Sequence, residues 1–450
     1  MKRFVHYILL LVLLTLTTTA SAQKHQKHPH NAEATVPDSM PVARGALTEG
    51  EDLVEEVMQN PGLIRRQYNK VERGDSGTWL FRLQDRLTKA CDARLFETTQ
   101  VGICVYDLTD KQLIFALNQT HRMRPASSMK VITSVAGLHY LGVNYTFDTR
   151  LYYTGQVVDS LRTLRGDVYV VGGMDPLLGD QDLSTMARRI KQMGVDSIQG
   201  RLYMDVSMRK DAPMGWGWCW DDDYGPLTAL MYNKEDLFAP NWIRALADAG
   251  VWVGNKDVDK KALPLKGAKQ ITVRSHNINE VLQPILKKSH NICAESLFYA
   301  IAAKGGKRGV THKDAARYVN QLITSFSLQP ELYEIADGSG LSLYDYVTPQ
   351  LLVRFLRHAW DNTKIRSVFY PSLPIAGVDG TLKSRMKDTK AEGNVHAKTG
   401  TVTGVSSLTG YCEATNGHQL AFCIINQGVA KTSQGRQFQD KLCEIMCSTK

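Results

Sequence analysis

Hydrophobic residues recur at helical spacing through WLFRLQDRLTKACDARL (79–95) and at strand spacing through QVGICVYDLTDKQLIFALN (100–118). This predicts a helix and then a hairpin turning at Asp110-Lys111. A second apolar run, VITSVAGLHYL (131–141), sets Val131, Ile132, Val135, Ala136 and Leu138 on one wide face and predicts a buried helix. After Gly142 the pattern changes. GDVYVVGGMDPLL (166–178), LSTMARRIKQMG (183–194) and IQGRLYMDV (198–206) read as strand, helix and strand, and the Trp-rich loop MGWGWCWDDDYGPL (214–227) follows. Near the end, SSLTGYCEATNGHQLAFCIIN (406–426) predicts a hairpin with Asn416-Gly417 as a type I′ turn, and GRQFQDKLCEIMC (435–447) a closing helix. Residues 150–265 differ in character from what flanks them and predict an inserted domain, between 77–149 and 266–450.

The opening MKRFVHYILLLVLLTLTTTASAQ combines Lys2 and Arg3, an apolar run over 8–14 and small residues ending at Ala22, the pattern of a signal peptide over 1–22. That run is short for a bilayer, and no later segment has about 20 uninterrupted apolar residues. An exported chain, periplasmic or extracellular and not membrane-spanning, is expected. Residues 23–76 predict a linker and N-terminal extension: 23–45 are polar and aperiodic, and 47–72 hold a helix or two. In the linker, His25, His28 and His30 have nothing nearby to close a metal-ligand set, so a solvated tail is expected.

Losing Lys2 and Arg3 with the leader lowers the formal charge from +9 to +7. The basic residues form no long block with interleaved aromatics, so nucleic acid is not an expected partner. Eight cysteines (91, 104, 219, 293, 412, 423, 443, 447) make no CxxC pair and are too few for a disulfide scaffold, which argues against a zinc ribbon or a redox motif. Export permits disulfides, but the spacing does not reveal a pairing. Trp216, Trp218 and Trp220 fit the filling of a domain junction better than a sugar-stacking platform.

A serine three residues before a lysine occurs three times, at Ser127/Lys130, Ser207/Lys210 and Ser384/Lys387. Acyl-transfer chemistry needs both side chains one turn apart on a rigid helix, so that the amine can take the hydroxyl proton. Pro213 and Gly215 follow Lys210, and polar DTKAEGN follows Lys387, so neither pair starts a buried helix. Ser127 follows Pro125 and falls at a helix N-terminus, where free N–H groups favour developing negative charge. Alone, this stretch fits equally an N-cap serine with a solvated lysine.

The tetrapeptide SHNI also repeats. At 275–278, Asn277 with Glu280 makes a capping box, a structural device. The copy at 289–292 lies in the turn between two helices, where Ser289 and Asn291 can converge. In HAKTGTVTGVSSLTGY (396–411), Lys398-Thr399-Gly400 offers a cation and a hydroxyl on a strand edge, suited to a carboxylate. Standing alone, it would read as an edge lysine guarding against aggregation. Ser-x-x-Lys, Ser-x-Asn and Lys-Thr-Gly in this order form the signature of penicillin-binding proteins and serine β-lactamases.

Together, RPASSMKVIT, SHNICAESLF, DGSGLSLYDYVTP, LPIAGVDGTLKSRM and AKTGTVTGVSSLTGY resemble the class C low-molecular-mass penicillin-binding proteins, the D-alanyl-D-alanine carboxypeptidase/endopeptidase family of the penicillin-binding protein four type. The resemblance implies an α+β, multi-domain chain. Its catalytic domain would be β-lactamase/transpeptidase-like, an antiparallel sheet flanked by helices, with a smaller domain inserted. From Lys130 to Ser289 is 159 positions, room for that insertion. Two departures stand out: His290 where the family usually has aspartate, and GGMDPLL in place of the commoner GGGDPTL. The insertion is also shorter than in the largest members.

Carried over residue by residue, the resemblance implies that Ser127 attacks the penultimate D-alanine carbonyl of peptidoglycan stem peptides. Lys130 acts as an unprotonated base, its proton affinity lowered beside Lys398. The N–H groups of Ser127 and Thr401 form the oxyanion hole, and Ser289 relays the proton to the leaving amine. Asn291 orients Lys130 and the substrate amide, Lys398 and Thr399 hold the terminal carboxylate, and Gly400, also substrate-binding, lets the ligand backbone approach closely. β-Lactams are implied covalent inhibitors, and no metal or organic cofactor is called for. A serine β-lactamase would need a deacylating glutamate loop, and no such motif lies between Ser289 and Lys398. A catalytically inactive peptidoglycan-binding or β-lactam-sensing protein is disfavoured because the polar site residues are all present.

Overall fold

The computed structural model describes residues 71–450 apart from 211, 213, 223 and 225. The leader, the three linker histidines and nearly all of the expected extension lie outside the described residues. The chain forms α1 (Trp79–Ala90), the hairpin β1 (Gln100–Asp107) and β2 (Gln112–Leu117), and α2 (Met129–Leu141). Next come β3 (Thr146–Tyr153), β4 (Gln156–Val158), β5 (Thr163–Arg165), β6 (Val168–Val171), α3 (Asp180–Gln192), β7 (Ser197–Ile198) and β8 (Leu202–Asp205). They are followed by α4 (Phe238–Asp248), β9 (Trp252–Val253), β10 (Val258–Lys260) and β11 (Lys269–Asn277). Five helices follow: α5 (Ile278–Leu286), α6 (Asn291–Ala302), α7 (His312–Ser325), α8 (Pro349–Asp361) and α9 (Thr363–Ser372). The chain closes with β12 (His396–Val402), β13 (Val405–Glu413), β14 (Gln419–Gln427) and α10 (Thr432–Ser448).

Strands from both ends of this order build one antiparallel sheet, β12-β13-β14-β1-β2. β1 pairs with β14 from Gln100↔Gln427 to Asp107↔Leu420. Both faces of the sheet are covered. Cys104 and Tyr106 of β1 enter a core shared with α2 and α5 to α9, whereas Ile103 and Val105 enter one shared with α1 and α10. Period-two alternation divides one strand between two cores, which is why QVGICVY is almost continuously apolar.

α2 is the axis of the helical side. Every residue from Met129 to Leu138 is buried, so the wide apolar face expected from the sequence is the whole circumference. Inside it, Thr133 donates to the Gly338 carbonyl at 2.6 Å, which satisfies a hydroxyl that burial would otherwise penalise. From β3 to β11, two mixed sheets, one of five strands (β10-β8-β6-β3-β11) and one of four (β4-β5-β7-β9), and the helices α3 and α4 enclose a separate core running from Leu151 to Val253. Met174, where GGMDPLL departs from GGGDPTL, is buried at φ 59°, a region in which glycine is the unstrained choice.

Local details correct two expectations. The 406–426 hairpin forms, but its turn is not type I′. Gly417 has φ 81° and Asn416 is not left-handed; the Gly417 N–H donates to the Ala414 carbonyl at 2.9 Å, and the Ala414 N–H to the His418 carbonyl at 2.9 Å. The result is a three-residue loop with a glycine bulge. In the Trp-rich loop, Trp216 stacks on His312 at 5.0 Å and Trp218 Nε1 donates to Asp337 Oδ2 at 2.9 Å, both as packing aromatics. Trp220 is 93% exposed and takes no part in that packing. All eight cysteines are free thiols, seven of them buried, and they pack as small apolar groups.

Candidate active site

Ser127 sits on a strained turn. Ala126 adopts φ 47° at the start of the single helical turn Ala126–Ser128 that leads into α2. A non-glycine residue there costs about 1–3 kcal/mol and persists only where its surroundings enforce it. Here the sheet does so. Ser407 Oγ of β13 donates to the Pro125 carbonyl at 2.7 Å and lies 2.8 Å from Ser128 Oγ. Gly400 of the edge strand β12 approaches so closely that a Cβ there would stand 2.7 Å from the Pro125 oxygen and 3.0 Å from the Ser127 nitrogen. Ser127 is left partly exposed between the buried Ala126 and Ser128.

Lys130 is fully buried one turn along. Its Nζ lies 2.9 Å from Ser127 Oγ, 2.6 Å from Asn291 Oδ1 and 2.7 Å from the Ser339 carbonyl. Burial pushes its proton affinity down to about 8, against the opposing pull of Asp337, Glu295 and Asp345. The neighbouring lysine, expected to be the cause, is not. The effect runs the other way: Lys398 is held well below the ordinary lysine range by its own burial and, after that, by the charge of Lys130.

Ser289 and Asn291 converge from the turn between α5 and α6. Ser289 adopts φ 58°, the second strained non-glycine position of the site, and its Oγ accepts from Lys398 Nζ at 2.9 Å. Lys398 Nζ also donates to the Thr399 carbonyl at 2.6 Å. His290, between them, stays neutral because burial pushes it down to about 4. The first SHNI copy is elsewhere and structural: Asn277 caps α5, its Oδ1 accepting from the Asn279 N–H at 2.8 Å while its own N–H donates to Glu280 at 2.7 Å.

Sequence reasoning assigned no role to the loop DGSGLSLYD. The Asp337 carboxylate accepts from the N–H groups of Ser339 (2.9 Å), Gly340 (2.6 Å) and Ser342 (2.9 Å), and this fixes the Ser339 carbonyl against Lys130. An Asp followed by Gly and Ser is the local signal for such side-chain-to-backbone turns. Glu295, also missed, accepts from the Gly338 N–H at 2.9 Å and is pushed up to about 8 by burial, then by Asp337. It supports the loop and does not line the groove.

A groove of about 580 Å³ is lined by Ser127, Ser289, Thr399, Thr401, Arg385 and Arg436. Thr399 Oγ1 donates to Thr381 Oγ1 at 2.8 Å. A cavity of similar size, about 570 Å³, lies at the far end of α2, beside Tyr140 and Leu141. Ser207 lines that second cavity from a non-helical turn, and Ser384 lies in a turn at the rim of the first, with Lys387 exposed. Neither decoy serine starts a helix.

Residues 83–235 and 225–448 match the model of the D-Ala-D-Ala carboxypeptidase 3 (S13) family. The D-alanyl-D-alanine carboxypeptidase of Actinomadura sp. (strain R39) is 26% identical over 455 residues, covering 78% of this chain and 82% of that one. The D-alanyl-D-alanine carboxypeptidase of Haemophilus influenzae is 24% identical over 413 residues, covering 73% and 85%. Among solved structures, penicillin binding protein 4 of H. influenzae superimposes with a TM-score of 0.71 at 23% identity, over 80% of this chain and 97% of that one. The fold is therefore of the β-lactamase/transpeptidase-like class. The chain belongs to the D-Ala-D-Ala carboxypeptidase 3 (S13) family and is a serine-type D-alanyl-D-alanine carboxypeptidase.

Proposed function

We propose that Ser127 is the nucleophile of this carboxypeptidase, that its substrates are peptidoglycan stem peptides ending in D-alanyl-D-alanine, and that β-lactams acylate the same hydroxyl. One observation carries the reading: the Lys130 amine has three neighbours, the oxygens of Ser127, Asn291 and Ser339. A neutral amine has two N–H donors and one lone pair. With the donors on Asn291 and Ser339, the lone pair faces the Ser127 hydroxyl and can accept its proton.

The Ser127 oxygen then bonds to the penultimate D-alanine carbonyl carbon, while the N–H groups of Ser127 and Thr401 stabilise the oxyanion. The peptide C–N bond breaks as Ser289, hydrogen-bonded to Lys398, passes its proton to the departing D-alanine amine and is reprotonated with the proton Lys130 took from Ser127, which leaves Lys130 neutral again. Water then attacks the ester, Lys130 accepts its proton, and that proton passes to the Ser127 oxygen as the ester bond breaks. Thr399 and Gly400 line the substrate path. The proposal includes export under the 1–22 leader to the periplasm or beyond, and an inserted domain over 150–265, which the separate core from Leu151 to Val253 supports.

Mass spectrometry after exposure to benzylpenicillin tests this. The expected product gains the intact β-lactam mass, and digestion maps it to the peptide holding Ser127. An adduct on another residue, or none, overturns the assignment.

The duplicated SHNI gives a second test. Asn277→Ala should lower stability by about 1 kcal/mol through the lost cap and keep the catalytic rate. Asn291→Ala removes an acceptor from Lys130 and should lower D-alanine release by about tenfold or more, with a smaller change in melting temperature. Thermal denaturation and D-alanine release on both variants decide it; exchanged phenotypes would reverse the choice of copy.

A further inference from the structure

The expected carboxylate anchor, Lys398, is not on the wall of the groove. Its side chain is fully buried, and its amine is engaged by Ser289 Oγ and the Thr399 carbonyl. Lys130 is equally buried and occupied by three oxygens. The cations that do line the groove are Arg385 and Arg436. Arg385 is already neutralised, because its guanidinium lies 2.6 Å from Asp440 and its side chain is only 11% exposed. Arg436 is exposed and has no acidic partner among the described residues.

Arg436 is also held in place by its backbone. α10 starts against β13, where a Cβ on Gly435 would stand 2.9 Å from the Ser406 Cβ, and Ser406 pairs directly with Thr401 of β12. A larger residue at 435 would push this turn off the sheet. Gln439 Nε2 donates to Ser406 Oγ and Asn426 Oδ1, both at 3.0 Å, and Arg385 donates to the Arg436 carbonyl at 3.2 Å. A buried polar network therefore fixes the first turn of α10 against β13, at the groove that Arg436 lines together with Thr399 and Thr401. An unpaired guanidinium on a fixed backbone, sharing a groove with two hydroxyls, is a carboxylate-binding arrangement.

We propose that Arg436 is a specificity-determining residue that binds the free C-terminal carboxylate of the substrate, with the Thr401 hydroxyl, and the Thr399 hydroxyl once it turns from Thr381, completing the site. This rests on the reading of Ser127 as nucleophile and changes the carboxylate anchor within it. The consequence is selectivity for peptides with a free terminal D-alanine over those whose terminus is blocked.

The test compares a synthetic peptide ending in D-alanyl-D-alanine with the same peptide as its C-terminal carboxamide, by mass-spectrometric detection of the released residue. For the free acid, Arg436→Ala should lose about tenfold to a hundredfold in kcat/KM, mainly through KM, the size of a lost hydrogen bond to a charged group. The carboxamide should be cleaved equally by wild type and Arg436→Ala, and Arg436→Lys should restore part of the acid rate. Equal losses on acid and amide, or no loss on the acid, overturn this inference while leaving Ser127 as nucleophile. Cleavage of neither peptide by the wild type overturns both.

Discussion

Replacing Ser127 with alanine is expected to abolish D-alanine release and covalent labelling by a fluorescent penicillin together, a loss of about 10³-fold or more in rate. Ser207→Ala and Ser384→Ala should leave both nearly intact. The contrast follows from what surrounds each hydroxyl. Ser127 has a buried amine at 2.9 Å on a helix that cannot move, since residues Met129 to Leu138 are all enclosed. Ser207 lines the cavity at the opposite end of α2, and a helix of that length spans about 20 Å. Ser384 is the sharper control because it borders the same groove, yet its lysine partner is exposed and no helix joins them. A small KM effect at Ser384 is compatible with the assignment; labelling that survives in Ser127→Ala is not.

The parts of this site legible in the sequence are those set by local rules. The spacing of Ser127 and Lys130, the capping box at Asn277 and Glu280, and the first hairpin depend on neighbours within a few residues, and each is present. The order of three weak motifs then carried the family, which the match over 83–235 and 225–448 shows. What local pattern could not reveal is which groups tertiary packing desolvates. Lys398 looked like a groove cation, but β12 turns its amine inward to Ser289. Lys130 owes its lowered proton affinity first to burial, a property of surrounding helices rather than of its neighbours in sequence. Arg436 enters the groove because Gly435 lets α10 approach β13, a contact made across 29 positions of chain from Ser406 to Gly435. The turn at Asn416-Gly417 failed for a smaller reason: the same dipeptide serves a glycine-bulge loop as well as a type I′ turn, and the strand register selects the longer loop.

The two lysines should fail differently when each is changed to arginine. On the proposed mechanism, acylation in the wild type needs Lys130 without its proton, and that form dominates only above about 8. Below this the acylation rate should fall by about tenfold per pH unit, and above it level off. Lys130→Arg keeps a positive charge that cannot be given up, so acylation by peptide and by penicillin should drop by about 10²–10⁴-fold, the usual worth of a general base. Its residual rate should no longer follow the limb near 8. Lys398→Arg leaves Lys130 and Ser127 in contact. The larger head group disturbs the hydrogen bond to Ser289 and slows turnover, but measurable acylation should remain and the pH limb should persist. Moreover, the charge beside Lys130 becomes permanent in this variant, which disfavours protonation of Lys130 and should shift the limb to lower pH. Single-turnover acylation by a chromogenic β-lactam across a pH series reads both effects. If the limb disappears in Lys398→Arg and survives in Lys130→Arg, Lys398 is the base and the roles of the two lysines must be exchanged.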